Sequence, residues 1–244
     1  MARDTFNLTL QSSRKITPSV LHMLFTREDG QPFNFIPGQF ITFHFEHDAT
    51  QLRRSYSVAT IPGHDPHHIE IAVGYFPGGP ATELLFNLQP GANLTTTGPF
   101  GRLVLREETI KRYILVATGT GVAPYRAMLP QLEKRIKDED LHIDLLLGVQ
   151  GREHLLYSDD FLAFANAHPN FRFHACYSRE KSQDLKPFET LGYVQERFDD
   201  LNLDPQGDVV YLCGNPTMID TGFDLLKEAG FDPKQIRREK YISS

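Results

Sequence analysis

The chain has 244 residues, enough for one large domain or two modest ones, with 40% apolar and 23% charged residues, the balance of an ordinary globular protein. Its formal net charge is −6, spread as seven basic and eight acidic residues over 1–105 against 18 and 23 over 106–244, so neither half carries the basic face of a nucleic-acid binder. Two cysteines, Cys176 and Cys213, are too few for an internal iron–sulfur cluster and argue against a disulfide scaffold.

The opening "MARDTFNLTL" has no apolar core of a secretory signal. The most apolar stretch, "YILVATGTGVAPY", is too short and Gly-rich to span a bilayer. A cytoplasmic protein that engages no membrane is expected. From residue 1 to 104 the chain reads as short strands: "NLTLQSS", "SVLHMLFTR", "GQFITFHFE", "RRSYSVAT", "HHIEIAVGYF" and "ANLTTTG". Gly and Pro punctuate them, and one helical piece, "PATELLFNL", follows a "PGG" turn. This spacing predicts a small antiparallel β-barrel.

In "RRSYSVAT", Arg54 and Tyr56 share one face of a strand, and Arg53, Ser55 and Ser57 share the other. A cation and a ring on one face suit a flat anionic ligand, or simply a solvated strand with an arginine over an aromatic. The turn "FPGGPATELL" offers a helix start with Gly78, Gly79, Ala81 and Thr82. Such a start can hold a phosphate on backbone N–H groups, although Pro80 has none to give.

From about residue 105 to 244 the period changes. "YILVAT", "HIDLLLGV", "FRFHACYS" and "DVVYLCG" are strand-like and alternate with helical patterns, including one expected near "YVQERFDDL". That alternation predicts a parallel α/β sheet of Rossmann-like type. Gly119, Thr120 and Gly121 stand where its first strand turns into a helix. Such a turn cradles a pyrophosphate, and its bland reading is a tight connection; the third glycine of a dinucleotide fingerprint is replaced by Pro124. "LCGNPTMID" repeats that geometry, with Cys213 at a strand end and Asn215 as a helix cap. Ser178 and Arg179 follow another strand and could grip a phosphate or form a polar loop. Tyr193 could stack on a base or pack at a helix start. His64, His67 and His68 fit no structural zinc spacing and read as an exposed turn.

The order "RSYS", Gly-Gly helix start, "GPFG", "GTGVAP", "SRE", "YVQ", "CGNP" and terminal "EKY" resembles the ferredoxin–NADP(H) reductase family of flavoproteins over nearly the whole chain. The resemblance implies an FAD-binding β-barrel over 1–104 and an NADP(H)-binding α/β domain over 105–244. It implies that Arg54, Ser55, Tyr56 and Ser57 hold FAD, the ring against the isoalloxazine and Ser57 near its N5. Gly79, Ala81 and Thr82 would hold an FAD phosphate, and Gly119, Thr120 and Gly121 the NADP pyrophosphate. Ser178 and Arg179 would read the 2′-phosphate, and Tyr193 and Gln195 the adenosine. Ser57, Cys213, Glu239 and Tyr241 would form the catalytic group, Tyr241 covering the flavin.

The implied partner is ferredoxin or flavodoxin, reached by a monomer. Two alternatives share the fold: a reductase of free flavin, quinone or haem protein, and a non-catalytic electron-transfer subunit. Three departures stand out. Gln150 replaces an arginine common in bacterial members, Leu191 replaces a plant-type lysine, and Ile242, Ser243 and Ser244 follow the near-terminal tyrosine.

Overall fold

The computed structural model describes residues 5–47, 50–63, 65–106 and 110–241; Ile242, Ser243, Ser244 and His64 lie outside them. The described residues divide into two compact units, one comprising those up to 105 with 123–128, the other those of 106–122 with 129–241.

The first unit is an antiparallel sheet of β1 (Thr5–Thr17), β2 (Val20–Arg27), β3 (Phe40–His47), β4 (Thr50–Ser57), β5 (Ile69–Gly74) and β6 (Asn93–Phe100), with α1 (Pro80–Asn87) between the last two. The strand order is β4-β3-β6-β1-β2-β5. An antiparallel bridge from Val58, just beyond β4, to Ile71 of β5 joins the two edges and closes the sheet into a barrel. Alternation drives this fold. Ile41, Phe43 and Phe45 of β3 point inward, alternating with half-buried Phe40, Thr42 and His44 and exposed Glu46, as a pleat with one wet face requires. Phe25, Phe43 and Tyr56 pack ring against ring inside, with centroids 5.4 and 5.7 Å apart. Gly38 has φ +102°, and a Cβ there would stand 2.0 Å from the Leu103 carbonyl oxygen, so only glycine lets these two loops meet.

The second unit is a parallel sheet of β7 (Arg112–Thr118), β8 (His142–Val149), β9 (Phe171–Tyr177), β10 (Glu189–Leu191), β11 (Asp208–Gly214) and β12 (Ile236–Lys240). Its order is β10-β9-β8-β7-β11-β12, and every described pairing is parallel. Helices α2 (Ala123–Glu139), α3 (Ser158–Ala167) and α4 (Pro216–Glu228) supply crossovers. β11 is buried at every residue and β7 from Tyr113 to Ala117, which explains their unbroken apolar runs. The helix expected near "YVQERFDDL" is instead two 3₁₀ turns, Val194–Arg197 and Asp199–Leu201. Val194, Phe198 and Leu201 still reach the core at helical spacing. However, Phe198 and Leu201 donate to carbonyls only three residues back, the tight 3₁₀ pattern. The strand order doubles back between β7 and β11, so the sheet's topological switch point lies there.

Candidate nucleotide and flavin sites

Because the second sheet is wholly parallel, all its strand ends open on one edge. Gly119–Gly121 follow β7, Gln150 follows β8, Ser178 and Arg179 follow β9, Tyr193 and Gln195 follow β10, and Tyr241 follows β12. The residues picked out in this half are therefore brought to one rim. The loops after β7 and β11, on either side of the switch point, touch backbone to backbone. A Cβ on Gly121 would lie 2.4 Å from the Cys213 carbonyl oxygen, and one on Gly214 2.6 Å from the Thr118 carbonyl oxygen. Thr118 Oγ1 accepts the Asn215 N–H at 2.8 Å, binding the two loops together. Gly119, by contrast, has φ +52° and nothing within 4 Å of the place a Cβ would take. Its backbone faces open space, as a ligand cradle needs.

Cys213 and Glu239 are register partners on β11 and β12. The Tyr241 N–H donates to the Gly214 carbonyl at 2.8 Å, which returns the tail to the end of β11. The Cys213 thiol is buried, and burial pushes it well above the usual thiol range. The nearby Glu239 charge pushes the same way, while a hydrogen bond with the Tyr241 side chain opposes them. Cys213, Glu239 and Tyr241 thus form one group.

Around β8 and β9, Ser178 N–H donates to the Val149 carbonyl and Arg179 N–H to the Gln150 carbonyl, at 3.0 and 2.8 Å. The Arg179 residue is exposed. Arg152, one turn away, is committed elsewhere: its guanidinium holds Glu189 at 3.0 and 2.6 Å and the Asp184 carbonyl at 2.9 Å. Arg152 draws the Glu189 carboxyl down to about 2. The Tyr193 ring is 58% exposed, large for an aromatic, and its backbone N–H is held by Glu196 Oε2 at 2.9 Å. Gln195 Oε1 is buried with no partner among the described residues. The Arg152–Glu189 pair and the Glu196 brace gave no sequence signal, because their partners lie on other segments or on the backbone.

In the first unit, Arg54, Ser55, Tyr56 and Ser57 form the end of the edge strand β4. Arg54 and Tyr56 lie on one face, opposite Phe43 and Ile41 of β3. Ser55 Oγ and Thr42 Oγ1 share a hydrogen bond of 2.9 Å on the other face. Burial pushes the Tyr56 phenol up to about 12 although Arg54 pulls it down. Ser57 is buried. The Gly79 turn before α1 is tight: a Cβ would meet the Phe76 ring, the Phe76 carbonyl oxygen and Thr82 Oγ1, each at 3.1 Å. The first turn of α1 has no side-chain cap, and neither has that of α2, whereas Asn215 caps α4 by accepting from Thr217 and Met218. The Thr82 hydroxyl serves its own turn, bonded to the Phe76 and Gly79 carbonyls at 2.9 and 3.0 Å. A groove of about 620 Å³ runs from Gly78 along α1 against Phe45–His47. Of the three histidines, two lie among the described residues: His67 N–H donates to Asp65 Oδ1 and the His68 ring pairs with Asp65. Among the described residues no group of three metal-binding side chains occurs.

Residues 7–105 match the model of the oxidoreductase FAD-binding domain, and residues 115–222 that of the oxidoreductase NAD-binding domain. The chain thus joins an oxidoreductase FAD-binding domain to an oxidoreductase NAD-binding domain. It is 29% identical to ferredoxin–NADP reductase B of Sorangium cellulosum over 98% of both chains. It is 28% identical to the reductase component of propane 2-monooxygenase from Rhodococcus jostii, over 86% of this chain but 56% of that one. It is 27% identical to the toluate 1,2-dioxygenase electron transfer component of Pseudomonas putida, over 98% of this chain and 68% of that one. A cytochrome P450 reductase of Amycolatopsis superposes with TM-score 0.86 at 27% identity, covering 98% of this chain and 70% of that one. A ferredoxin NADP⁺ reductase of Neisseria gonorrhoeae with bound FAD and NADP shares the fold, TM-score 0.83 at 22% identity over 98% and 99% of the two chains. The two-domain fold, the FAD-binding and NAD-binding domains and the oxidoreductase class are therefore those of this chain.

The residues present fit both groups. An uncapped helix start behind Gly79 suits the anionic pyrophosphate of FAD, as the half-buried Tyr56 ring suits a flat isoalloxazine. The open backbone at Gly119, the orphaned Gln195 Oε1 and the exposed Tyr193 ring suit the phosphate, amine donor and base of an adenine dinucleotide.

Proposed function

We propose that this chain is a member of the ferredoxin–NADP(H) reductase family, an NADPH-dependent FAD reductase that passes single electrons to ferredoxin or flavodoxin, working in the cytoplasm. When bound, FAD supplies the exchange between a two-electron hydride and one-electron transfer. The observation that carries the reading is the single rim of strand ends, along which Gly119–Gly121, Ser178, Arg179, Gln195 and the Cys213–Glu239–Tyr241 group lie. In this reading the Gly119–Gly121 backbone holds the dinucleotide pyrophosphate. Arg179 and Ser178 hold the 2′-phosphate through charge-assisted hydrogen bonds, and Tyr193 and Gln195 hold the adenosine. Arg54 and the Ala81 and Thr82 amides hold the FAD phosphates, Tyr56 holds the ring system, and Ser57 orients it. The presence in the sequence of Ser57, Cys213, Glu239 and Tyr241, the residues expected of the catalytic group, favours an enzyme over a passive subunit.

Similarity to a ferredoxin–NADP reductase along its full length supports the ferredoxin-type partner. The oxygenase reductase components, of which the chain spans only part, support a one-electron acceptor more broadly.

The test is direct. The purified protein should be yellow with about one FAD per chain and should reduce ferricyanide with NADPH at least tenfold more efficiently than with NADH. Coupled to cytochrome c, activity should require added ferredoxin or flavodoxin. A colourless protein that takes up no FAD on reconstitution would end this reading; flavin that washes off freely would favour a free-flavin reductase. Replacement of the Tyr241 ring, Tyr241→Ser, should tighten NADP⁺ binding about tenfold. Equal or weaker binding removes Tyr241 as the residue that covers the nicotinamide position.

A further inference from the structure

Glu180 follows Arg179 directly and has no role in the proposed chemistry. Its carboxylate nevertheless spans two loops. Oε1 accepts the N–H groups of Lys181 and Ser182 at 2.9 and 3.0 Å, and Oε2 accepts that of Arg152 at 3.3 Å. The first two lie in the loop after β9; the third lies in the loop after β8. Those same loops are bound by the backbone of the two residues before it, Ser178 N–H to the Val149 carbonyl and Arg179 N–H to the Gln150 carbonyl. The Ser178 hydroxyl also reaches the Val149 carbonyl, at 3.4 Å. An acidic residue beside a phosphate site would ordinarily repel a dianion. Here backbone amides engage both oxygens, and they hold the carboxyl below the usual range.

We infer that Glu180 is a positioning residue that fixes the Ser178–Arg179 segment to receive a 2′-phosphate, and so a determinant of NADPH over NADH. The inference rests on the reading of Ser178 and Arg179 as the 2′-phosphate site. Glu180→Gln keeps the shape but leaves one accepting oxygen, which cannot serve both loops. Glu180→Asp keeps a carboxylate too short to reach Arg152.

Calorimetric titration of each FAD-loaded variant with 2′,5′-ADP and with 5′-AMP reads the site without turnover. Arg179→Ala is run in parallel. The expected result is an approximately tenfold weaker affinity for 2′,5′-ADP in either Glu180 variant, with 5′-AMP within about twofold of the parent. In steady state the NADPH KM should rise by the same factor while kcat and the NADH KM stay within about twofold. In the Arg179→Ala background, Glu180→Gln should add little, because the two act as one unit. If Arg179→Ala selectively weakens 2′,5′-ADP but neither Glu180 variant does, this inference falls and the site reading stands. Equal loss for both ligands in the Glu180 variants overturns it too, as a general structural effect. If Arg179→Ala does not distinguish the ligands, the site reading fails and takes this inference with it. The Gln and Asp variants are independent of each other, so one that retains the parent melting temperature suffices.

Discussion

Gly119 and Gly121 stand two positions apart in one loop and answer to different constraints. At Gly121 an added methyl would strike the Cys213 carbonyl at 2.4 Å, backbone against backbone, with no flexible side chain to give way. Gly121→Ala should therefore cost about 3 kcal/mol of stability, the upper range for overpacking, as measured by urea unfolding. At Gly119 the methyl would meet open space and only the left-handed backbone is strained. Gly119→Ala should cost about 1 kcal/mol but weaken NADP⁺ binding at least fivefold, because the methyl occupies the proposed cradle. The motif "GTG" shows both glycines and cannot tell these roles apart. The cysteines make a similar point. Both thiols are fully buried, and burial pushes both above the usual range. Neither should react with a disulfide reagent at pH 8 in the folded protein, and both should react after denaturation. A fast-reacting native thiol would contradict the closed packing around Cys213.

Among elements, the helix starts divide by what they serve. Asn215 satisfies two N–H groups of α4 with its own side chain, so Asn215→Ala should lower stability by about 1 kcal/mol. The uncapped start of α1 follows from a glycine at the capping position. Asn-Pro and Gly-Gly-Pro made both starts readable in advance. The short β10 was not readable, because three residues carry no period; it is held by Glu189, whose carboxylate meets Arg152 and the Tyr177 hydroxyl. That pair gives a pH dependence with a definite sign. The Glu189 carboxyl is drawn from 4.5 to about 2 in the folded state. Its stabilisation is complete above about 4.5 and is lost as pH falls toward 2. Glu189→Gln should cost about 2 kcal/mol at pH 7, less than a fully buried pair because Arg152 keeps contact with water, and the difference from the parent should vanish near pH 2.

For the whole molecule, the net charge of −6 bears on its partner. Ferredoxins and flavodoxins are expected to be acidic as well, so no long-range attraction steers the encounter. Between about 20 and 300 mM salt the rate of ferredoxin reduction should rise or hold within about threefold, because screening weakens repulsion. A steep fall with salt would show instead that a local basic patch, with exposed Arg53 and Arg102 as candidates, overrides the net charge.

The sequence by itself determined the two architectures and the positions of the loops. Alternation in "FITFHFE" and unbroken apolar runs such as "YILVAT" report directly which faces each strand buries. Glycine and proline mark turns through backbone constraints that need no distant partner. Only the tertiary structure decided that β7 and β11 are neighbours, so that "GTG" and "CGN" touch and Gly121 is forbidden a side chain. Only it showed Glu180 bridging two loops and Glu189 closing on Arg152. The reason is physical: a strand's burial pattern is written in its own residues, whereas a carboxylate's partner is set by chain segments far apart in sequence.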